Sequence, residues 1–130
     1  MKDRLAENEV SAIVLDAAIE VHRTLGGPGL LESVYVEALA HELHLRGLRV
    51  ERQKAVPVVY KGQRLKDDLR LDLLVEDLVV VECKATNSYN RIFESQTLTY
   101  LRLLNLKLGL IINFGERLVK NGIHRIVNGL

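Results

Sequence analysis

A chain of 130 residues, 48% hydrophobic and 27% charged, has the size and composition of one soluble globular domain with a core of its own. The formal net charge of +1 neither announces nor excludes a polyanionic partner, so only a local basic face can supply one. A single cysteine, Cys83, excludes an internal disulfide and any cysteine cluster for zinc or iron–sulfur ligation. The start, MKDRLAENEV, is charged and has no apolar h-region, and apolar runs such as LGLIINF are far too short to span a bilayer. The expected location is therefore the cytoplasm, without a membrane partner.

Helical periodicity runs from about residue 8 to 24, with Val10, Val14, Ala17 and Val21 on one stripe, Ile13 beside it, and Gly26 and Gly27 ending the helix. GGPG is a short loop, and Pro28 suits a position at or just before a new helix start. The second helix is expected from about Leu30 to Arg46, with Val34, Ala38, Leu39 and Leu43 as its apolar face and Gly47 closing it. Strand signals follow in LRVERQ and in AVPVVY, which ends at a Lys61–Gly62 turn. They resume in QRLKDDLRLDLLV, and Glu76–Asp77 separates this run from LVVVECKA. The pattern predicts an antiparallel meander of three strands. SYNRIFESQTLTYLRLLN returns to helical spacing, with Phe93, Gln96, Tyr100 and Leu103 on one face. KLGLIINF is a continuous apolar run that fits an interior strand, and Ile123–Val127 fits an edge strand. Helices, a cluster of strands, then helix and strand give an α/β fold with a mixed sheet. No repeat or linker divides residues 1–130, so one domain is expected.

VVVECKA carries Glu82 and Lys84 inside what should be a buried strand. Side chains two apart share a face, so both point with Val80, while Val81 and Cys83 point the other way. Charges in such a strand need compensation. Either the strand leaves the core near Glu82 and the charges are solvated or simply paired, or they form a site. Asp72, inside the preceding run LRLDLLV, bears on that choice. Two carboxylates facing each other on neighbouring strands repel, unless a divalent cation sits between them. Magnesium takes one or two protein carboxylates and keeps waters for the rest. A lysine at the rim of such a site can hold an attacking water or offset charge on a phosphate, as in metal-assisted hydrolysis. Parity tests the idea. A two-residue loop at Glu76–Asp77 opposes Asp72 to Val81, on the wrong face. A three-residue loop near Glu76–Leu78, or a bulge, brings Asp72 to the face of Glu82.

Asp72 followed by Glu82-Cys83-Lys84 resembles the signature of the PD-(D/E)xK nuclease superfamily. GLLESVY, Gly29 to Tyr35, resembles the G-x-x-E-x-x-Y motif of the GxxExxY protein family, a small branch of that superfamily. QTLTY, Gln96 to Tyr100, is similar to the Q-x3-Y motif of RecB-like nucleases. The likeness extends over about residues 10–128. It implies a restriction-endonuclease-like α-β-β-β-α-β core, a mixed central sheet flanked by helices, with an extra N-terminal helix. It implies Asp72, Glu82 and the Cys83 main-chain carbonyl as ligands of magnesium or manganese, Glu32 as completing or orienting that site, and Lys84 as the catalytic lysine. Gln96, Tyr100, His22 and Tyr35 fall into a substrate-positioning group. The chain departs from the pattern at Leu71, where proline is usual, at Cys83, where an aliphatic residue is usual, and at Phe93, where many relatives carry histidine.

Taken singly, several of these residues have plainer readings. Glu32 suits the first turn of a helix, and Tyr35 suits packing with a satisfied hydroxyl. Gln96 and Tyr100 suit helix–sheet hydrogen bonds, and His22 suits a solvated or capping place near a helix end. His41, His44 and His124 are expected at the surface. Basic residues from Arg46 to Arg70, broken by Glu51, Asp67 and Asp68, suit a solvated sheet edge, part of which can meet a phosphate backbone. The function expected is a divalent-metal-dependent nuclease acting on phosphodiesters, with DNA preferred over RNA as substrate. The alternative is a nucleic-acid-binding module that does little chemistry alone and needs a partner or a homodimer to hold its substrate.

Overall fold

The computed structural model describes residues 5–130. Helix α1, Glu7–Thr24, opens with the Glu9 carboxylate accepting the Ala6 N–H at 3.1 Å. Its stripe Val10, Val14, Ala17 and Val21 is buried, as the spacing predicts. Helix α2, Glu32–Leu45, is shorter than expected at its start. Its buried face is Tyr35, Val36, Leu39, Ala40 and Leu43; Val34, expected inside, is 38% exposed. The reason is that Tyr35, Leu39 and Leu43 set the stripe, which turns Val34 to its flank.

Seven strands follow the two helices: β1 Val50–Val56, β2 Val59–Tyr60, β3 Gln63–Arg64, β4 Leu69–Val75, β5 Val79–Lys84, β6 Leu108–Asn113 and β7 Ile123–Val127. Helix α3, Ile92–Leu104, lies between β5 and β6, and a 3₁₀ turn at Val119–Gly122 precedes β7. The five-stranded sheet has the order β1-β4-β5-β6-β7, with β5 and β6 parallel and the other neighbours antiparallel. The expected three-strand meander is thus β1, β4 and β5. QRLKDDLRLDLLV is not one strand, because β2 and β3 form a separate hairpin inserted between β1 and β4. At its tip Lys61 and Gly62 both have positive φ, 48° and 81°, the pattern of a two-residue hairpin turn whose twist matches that of the strands.

Helices α1 and α2 cover one face of the sheet over Leu73, Val75, Val79, Val81, Cys83, Leu108, Leu110 and Ile112. On the other face Leu101 of α3, with Tyr100 and Leu104, packs on Val56, Leu71, Leu74 and Val80. The inward face of α3 is therefore Thr97 and Leu101, not the expected Phe93, Gln96, Tyr100 and Leu103, of which Gln96 and Leu103 are exposed. Close approach at Gly109 explains the shift: a Cβ there would stand 2.6 Å from Thr97 Cγ2. The helix seats Thr97 where β6 has no side chain.

One irregularity interrupts the sheet. Val50 and Val56 have the same parity and would share a face in a regular strand, yet Val50 packs on the α1–α2 side and Val56 on the α3 side. The same exchange separates Leu73 from Leu71 in β4. Between them lies Gln53, with φ 51°, a left-handed residue in mid-strand. The β1–β4 register pairs Arg52 with Leu73 and Lys54 with Leu71, which sets Gln53 directly across from Asp72.

Candidate active site

Val75 pairs with Val79, leaving Glu76, Asp77 and Leu78 as the loop, the odd count that parity requires. Glu76 and Asp77 both take φ 54°, and Arg49 braces them: its N–H donates to Glu76 Oε2 at 2.6 Å and its guanidinium to Asp77 Oδ2 at 2.7 Å. Counting back, Leu73 faces Val81, and the next opposed residues are Asp72 and Glu82. There the regular ladder stops and side chains take its place. The Asp72 N–H donates to Glu82 Oε2 at 2.6 Å, and the Cys83 N–H donates to Asp72 Oδ2 at 2.9 Å. Each carboxylate is thus fixed by a main-chain N–H through one of its oxygens.

Glu82 is 7% exposed, so the strand does not leave the core before it, and the solvated reading of its charge is excluded. Burial foremost, then the Asp72 charge, pushes its carboxyl from 4.5 up to about 8; the Asp72 N–H and Lys84 pull the other way. Asp72 is also raised, by burial, against the lowering effect of the Cys83 N–H, of Lys84 and of a hydrogen bond from the Gln53 side chain. Both shifts mark a carboxylate pair that the protein's own cations do not fully compensate.

Lys84 is the nearest of those cations. Its ammonium lies 3.9 Å from Glu32 Oε1 and 4.5 Å from the centroid of the Phe93 ring. The Phe93 ring thus forms a cation–π seat for it. Glu32 is the first residue of α2, with its carboxyl raised by burial first, lowered by Lys84 and raised by Asp72. Tyr100 reaches across from α3, its hydroxyl donating to the Arg70 carbonyl at 3.3 Å. Its phenol is raised by burial and by the Glu82 and Asp72 charges, which places it in the same field.

Glu32, Asp72, Glu82, Lys84 and Tyr100 therefore converge at one end of the sheet. Gln96 lies one turn before Tyr100, exposed to solvent. Tyr35 does not join this cluster. It is fully buried, stacked on Phe114 at 4.6 Å, and its hydroxyl donates to the Gly27 carbonyl at 2.7 Å while accepting the Leu30 N–H at 3.2 Å. It staples the loop that delivers Glu32. His22 is buried as well, not solvated, with Nε2 donating to the Phe114 carbonyl at 3.2 Å. Phe114 in turn donates its N–H to the Lys84 carbonyl at 2.7 Å, so His22 and Tyr35 support the backbone behind Lys84. His41 and His44 are exposed as expected, whereas His124 is half-buried and stacks on Tyr89 at 3.9 Å.

Two residues escaped the sequence reading. Gln53 lay in a partly alternating run that gave no hint of a left-handed turn. Asn113, buried at the end of β6, accepts the N–H groups of Thr86 and Gly115 at 3.1 and 3.0 Å and donates to the Thr86 carbonyl at 2.9 Å. It ties together the chain leaving β5 and the chain leaving β6. A polar residue closing the apolar run of β6 was the available signal. Gly115 belongs to the same clamp, since a Cβ there would stand 2.3 Å from the Thr86 carbonyl oxygen.

The donor set fits a hard divalent cation. It offers two carboxylates, each anchored by a main-chain N–H, in a setting that resists holding both charges, and magnesium or manganese takes such ligands with water and main-chain oxygen completing the shell. Among the described residues no three His, Cys, Asp or Glu side chains are already gathered at metal-ligating spacing. No helix among them is long and apolar enough to cross a membrane. Compared with curated proteins and with solved structures, the chain gives no match. Compared with protein families, residues 8–126 match the PD-(D/E)XK nuclease superfamily. That span runs from the second residue of α1 to the last but one of β7 and holds the whole carboxylate–lysine cluster, and the mixed sheet between helices is the restriction-endonuclease-like arrangement: the chain belongs to the PD-(D/E)XK nuclease superfamily, and this membership supports a nuclease function.

Proposed function

We propose that this protein is a divalent-metal-dependent nuclease of the GxxExxY branch, with DNA as its substrate. The observation that carries the reading is the opposition of Asp72 and Glu82 across β4 and β5, with Lys84 two residues beyond on the same face. Asp72, Glu82 and the Cys83 main-chain carbonyl would hold magnesium or manganese, with Glu32 beside them. A cation bound there lowers the pKa of its water and neutralises charge that builds on the phosphate. The protein's own groups do the positioning. The backbone N–H groups of Asp72 and Cys83 lock one oxygen of each carboxylate. Phe93 and Glu32 hold the Lys84 ammonium at the rim, where it can orient the attacking water or pair with a phosphate oxygen. Tyr100 and Gln96 stand along α3, where a substrate backbone would pass. The branch motif has a local logic: Gly29 takes φ 118°, Glu32 starts α2, and Tyr35 staples the loop between them.

One observation favours the second reading, a binding module that needs a partner or a homodimer. Glu32 engages Lys84, and among the described residues no third acidic side chain closes on the Asp72–Glu82 pair. The test is cleavage of single-stranded, duplex and branched DNA and of RNA, with magnesium or manganese, by wild type and Lys84→Ala. Metal-dependent cutting that disappears in Lys84→Ala is expected. Equal residual activity in the two proteins would sink the assignment, and salt-dependent binding without turnover would favour the binding module.

A further inference from the structure

We propose that the β2–β3 hairpin is an arm that grips a single-stranded segment of nucleic acid, stacking an unpaired base on Tyr60 and placing Lys61 and Lys66 on the flanking phosphates. The proposal rests on the nuclease reading above and names how that site would hold its strand.

The arm springs from the site's end of the sheet. The β1–β4 ladder ends at Val56 and Leu69, and Asp72 lies three residues along β4, about 10 Å at the rise of a strand. Tyr100, which shares the field of the carboxylates, hydrogen-bonds the Arg70 carbonyl and so ties the root of the arm to α3. Beyond that root, among the described residues, the hairpin's strands pair only with each other, through Val59–Arg64, Tyr60–Gln63 and the Leu65 N–H to the Val58 carbonyl at 2.8 Å. A two-stranded hairpin is marginal in water unless an apolar face is covered, yet here Val59 is 58% exposed, Tyr60 61% and Leu65 43%. The core gives these side chains no reason to be apolar or aromatic.

The charges identify the occupant. Arg64 is paired with Asp68 at 3.0 Å, and Arg70 donates to the Gln53 carbonyl at 3.1 Å. Among the described residues neither Lys61 nor Lys66 has an ion-pair partner, and the Lys61 ammonium stands 5.5 Å from the centroid of the Tyr60 ring. An exposed aromatic ring with one unpaired ammonium over it, and a second on the same arm at Lys66, suits a strand whose bases are unstacked and whose backbone is anionic. Asp67, next to Lys66, offsets part of the positive charge, so stacking on Tyr60 should outweigh the phosphate contacts. A duplex keeps its base faces covered and offers Tyr60 little, which is why the arm suits a single strand.

The test is fluorescence anisotropy with a labelled single-stranded oligonucleotide and with the blunt duplex of the same sequence, without divalent metal so that nothing is cut. Tyr60→Ala should weaken single-strand binding about tenfold and Tyr60→Phe should restore it, the range expected for one lost base–aromatic stack. Lys61→Ala with Lys66→Ala should flatten the plot of log affinity against log salt by about 1.4 for a single strand. Because these side chains are exposed, the variants should fold as the wild type does. Wild-type binding by Tyr60→Ala, a Tyr60→Phe as weak as Tyr60→Ala, or an equal loss on the duplex would each overturn the proposal. The nuclease reading fails separately, if Lys84→Ala cuts as fast as wild type, and that result leaves the binding comparison intact.

Discussion

Glu82→Gln should stabilise the metal-free protein at high pH while abolishing cleavage. The Glu82 carboxyl is raised from 4.5 to about 8, so between those values the folded protein holds a proton that the unfolded chain has released. Protons bound by the folded state and not by the unfolded state make stability fall as pH rises. The contribution is fully present below about 4.5, declines through the interval, and is gone above about 8. At about 1.4 kcal/mol per pH unit the whole shift sets a ceiling of about 5 kcal/mol, and relaxation around a charged Glu82 brings the expected loss nearer 2–4 kcal/mol. Glutamine keeps an oxygen to accept the Asp72 N–H and removes the charge that repels Asp72. Urea unfolding in a chelator at pH 5.5, 7 and 8.5 is the assay. Wild type should lose stability across the series, and Glu82→Gln should hold nearly level and exceed it at pH 8.5. Magnesium at pH 8.5 should stabilise wild type far more than the variant. A wild type equally stable at pH 5.5 and 8.5, or a variant weaker than it at pH 8.5, would refute the account of an uncompensated carboxylate pair.

Other substitutions probe how the site is held. Gln53→Gly should fold with a stability within about 1 kcal/mol of wild type, since glycine accepts the left-handed conformation, yet it should cleave more slowly because Asp72 loses the polar Gln53 side chain that lowers its carboxyl. Gln53→Val, whose branched side chain resists positive φ, should cost about 1–3 kcal/mol in the same unfolding measurement. Gly115→Ala would drive a Cβ to 2.3 Å from the Thr86 carbonyl oxygen, so a loss of stability of about 1–3 kcal/mol and of cleavage together is expected. Tyr35→Phe removes the hydroxyl shared by Gly27 and Leu30 and should cost about 1–2 kcal/mol by thermal or urea unfolding. If its cleavage rate per folded molecule stays at wild type, the loop holds Glu32 without that staple.

Alternation carried the sequence reading where strands are regular. Once Asp72 was to face Glu82, parity called for an odd loop such as three residues, or a bulge, and the loop between Val75 and Val79 has three; parity also turned Cys83 inward, where it is fully buried under α1 and α2. Helix faces were less legible because apolar residues outnumber the places that bury them. Val34 and Leu103 are as hydrophobic as their neighbours, and only the partner surface decides that Tyr35 and Leu101 go in. The face exchange at Gln53 could not be seen in either strand alone. It depends on one residue leaving the extended region, and glutamine, unlike glycine, carries no mark of that. Nor does the alternation of LRLDLLV reveal that Leu71 and Leu73 end on opposite sides of the sheet.

The irregularities are not spread over the sheet. Gln53 in the left-handed region, the stop of the β4–β5 ladder at Leu73–Val81, and the buried Glu82 all lie at one level of β1, β4 and β5. On one side of that level the ladder runs regularly to the Glu76–Leu78 loop, through Leu73–Val81, Leu74–Val80 and Val75–Val79. Strained backbone and uncompensated charge persist only where the surroundings over-determine them. The surroundings here are Val79, Val80 and Val81, buried on both faces, and the parallel register that carries β5 alongside β6 as far as Lys84 and Asn113. The apolar half of VVVECKA is therefore what allows the charged half to exist. Weakening it should act on the site before it acts on the fold. Val80→Ala removes two methyl groups between β5 and α3 and should cost about 1–3 kcal/mol. Because Glu82 and Lys84 continue from that same face, its cleavage rate should fall by more than the lost population of folded molecules explains. A rate that tracks the folded fraction alone would mean that Glu82 and Lys84 are held by their own partners and not by the strand beneath them.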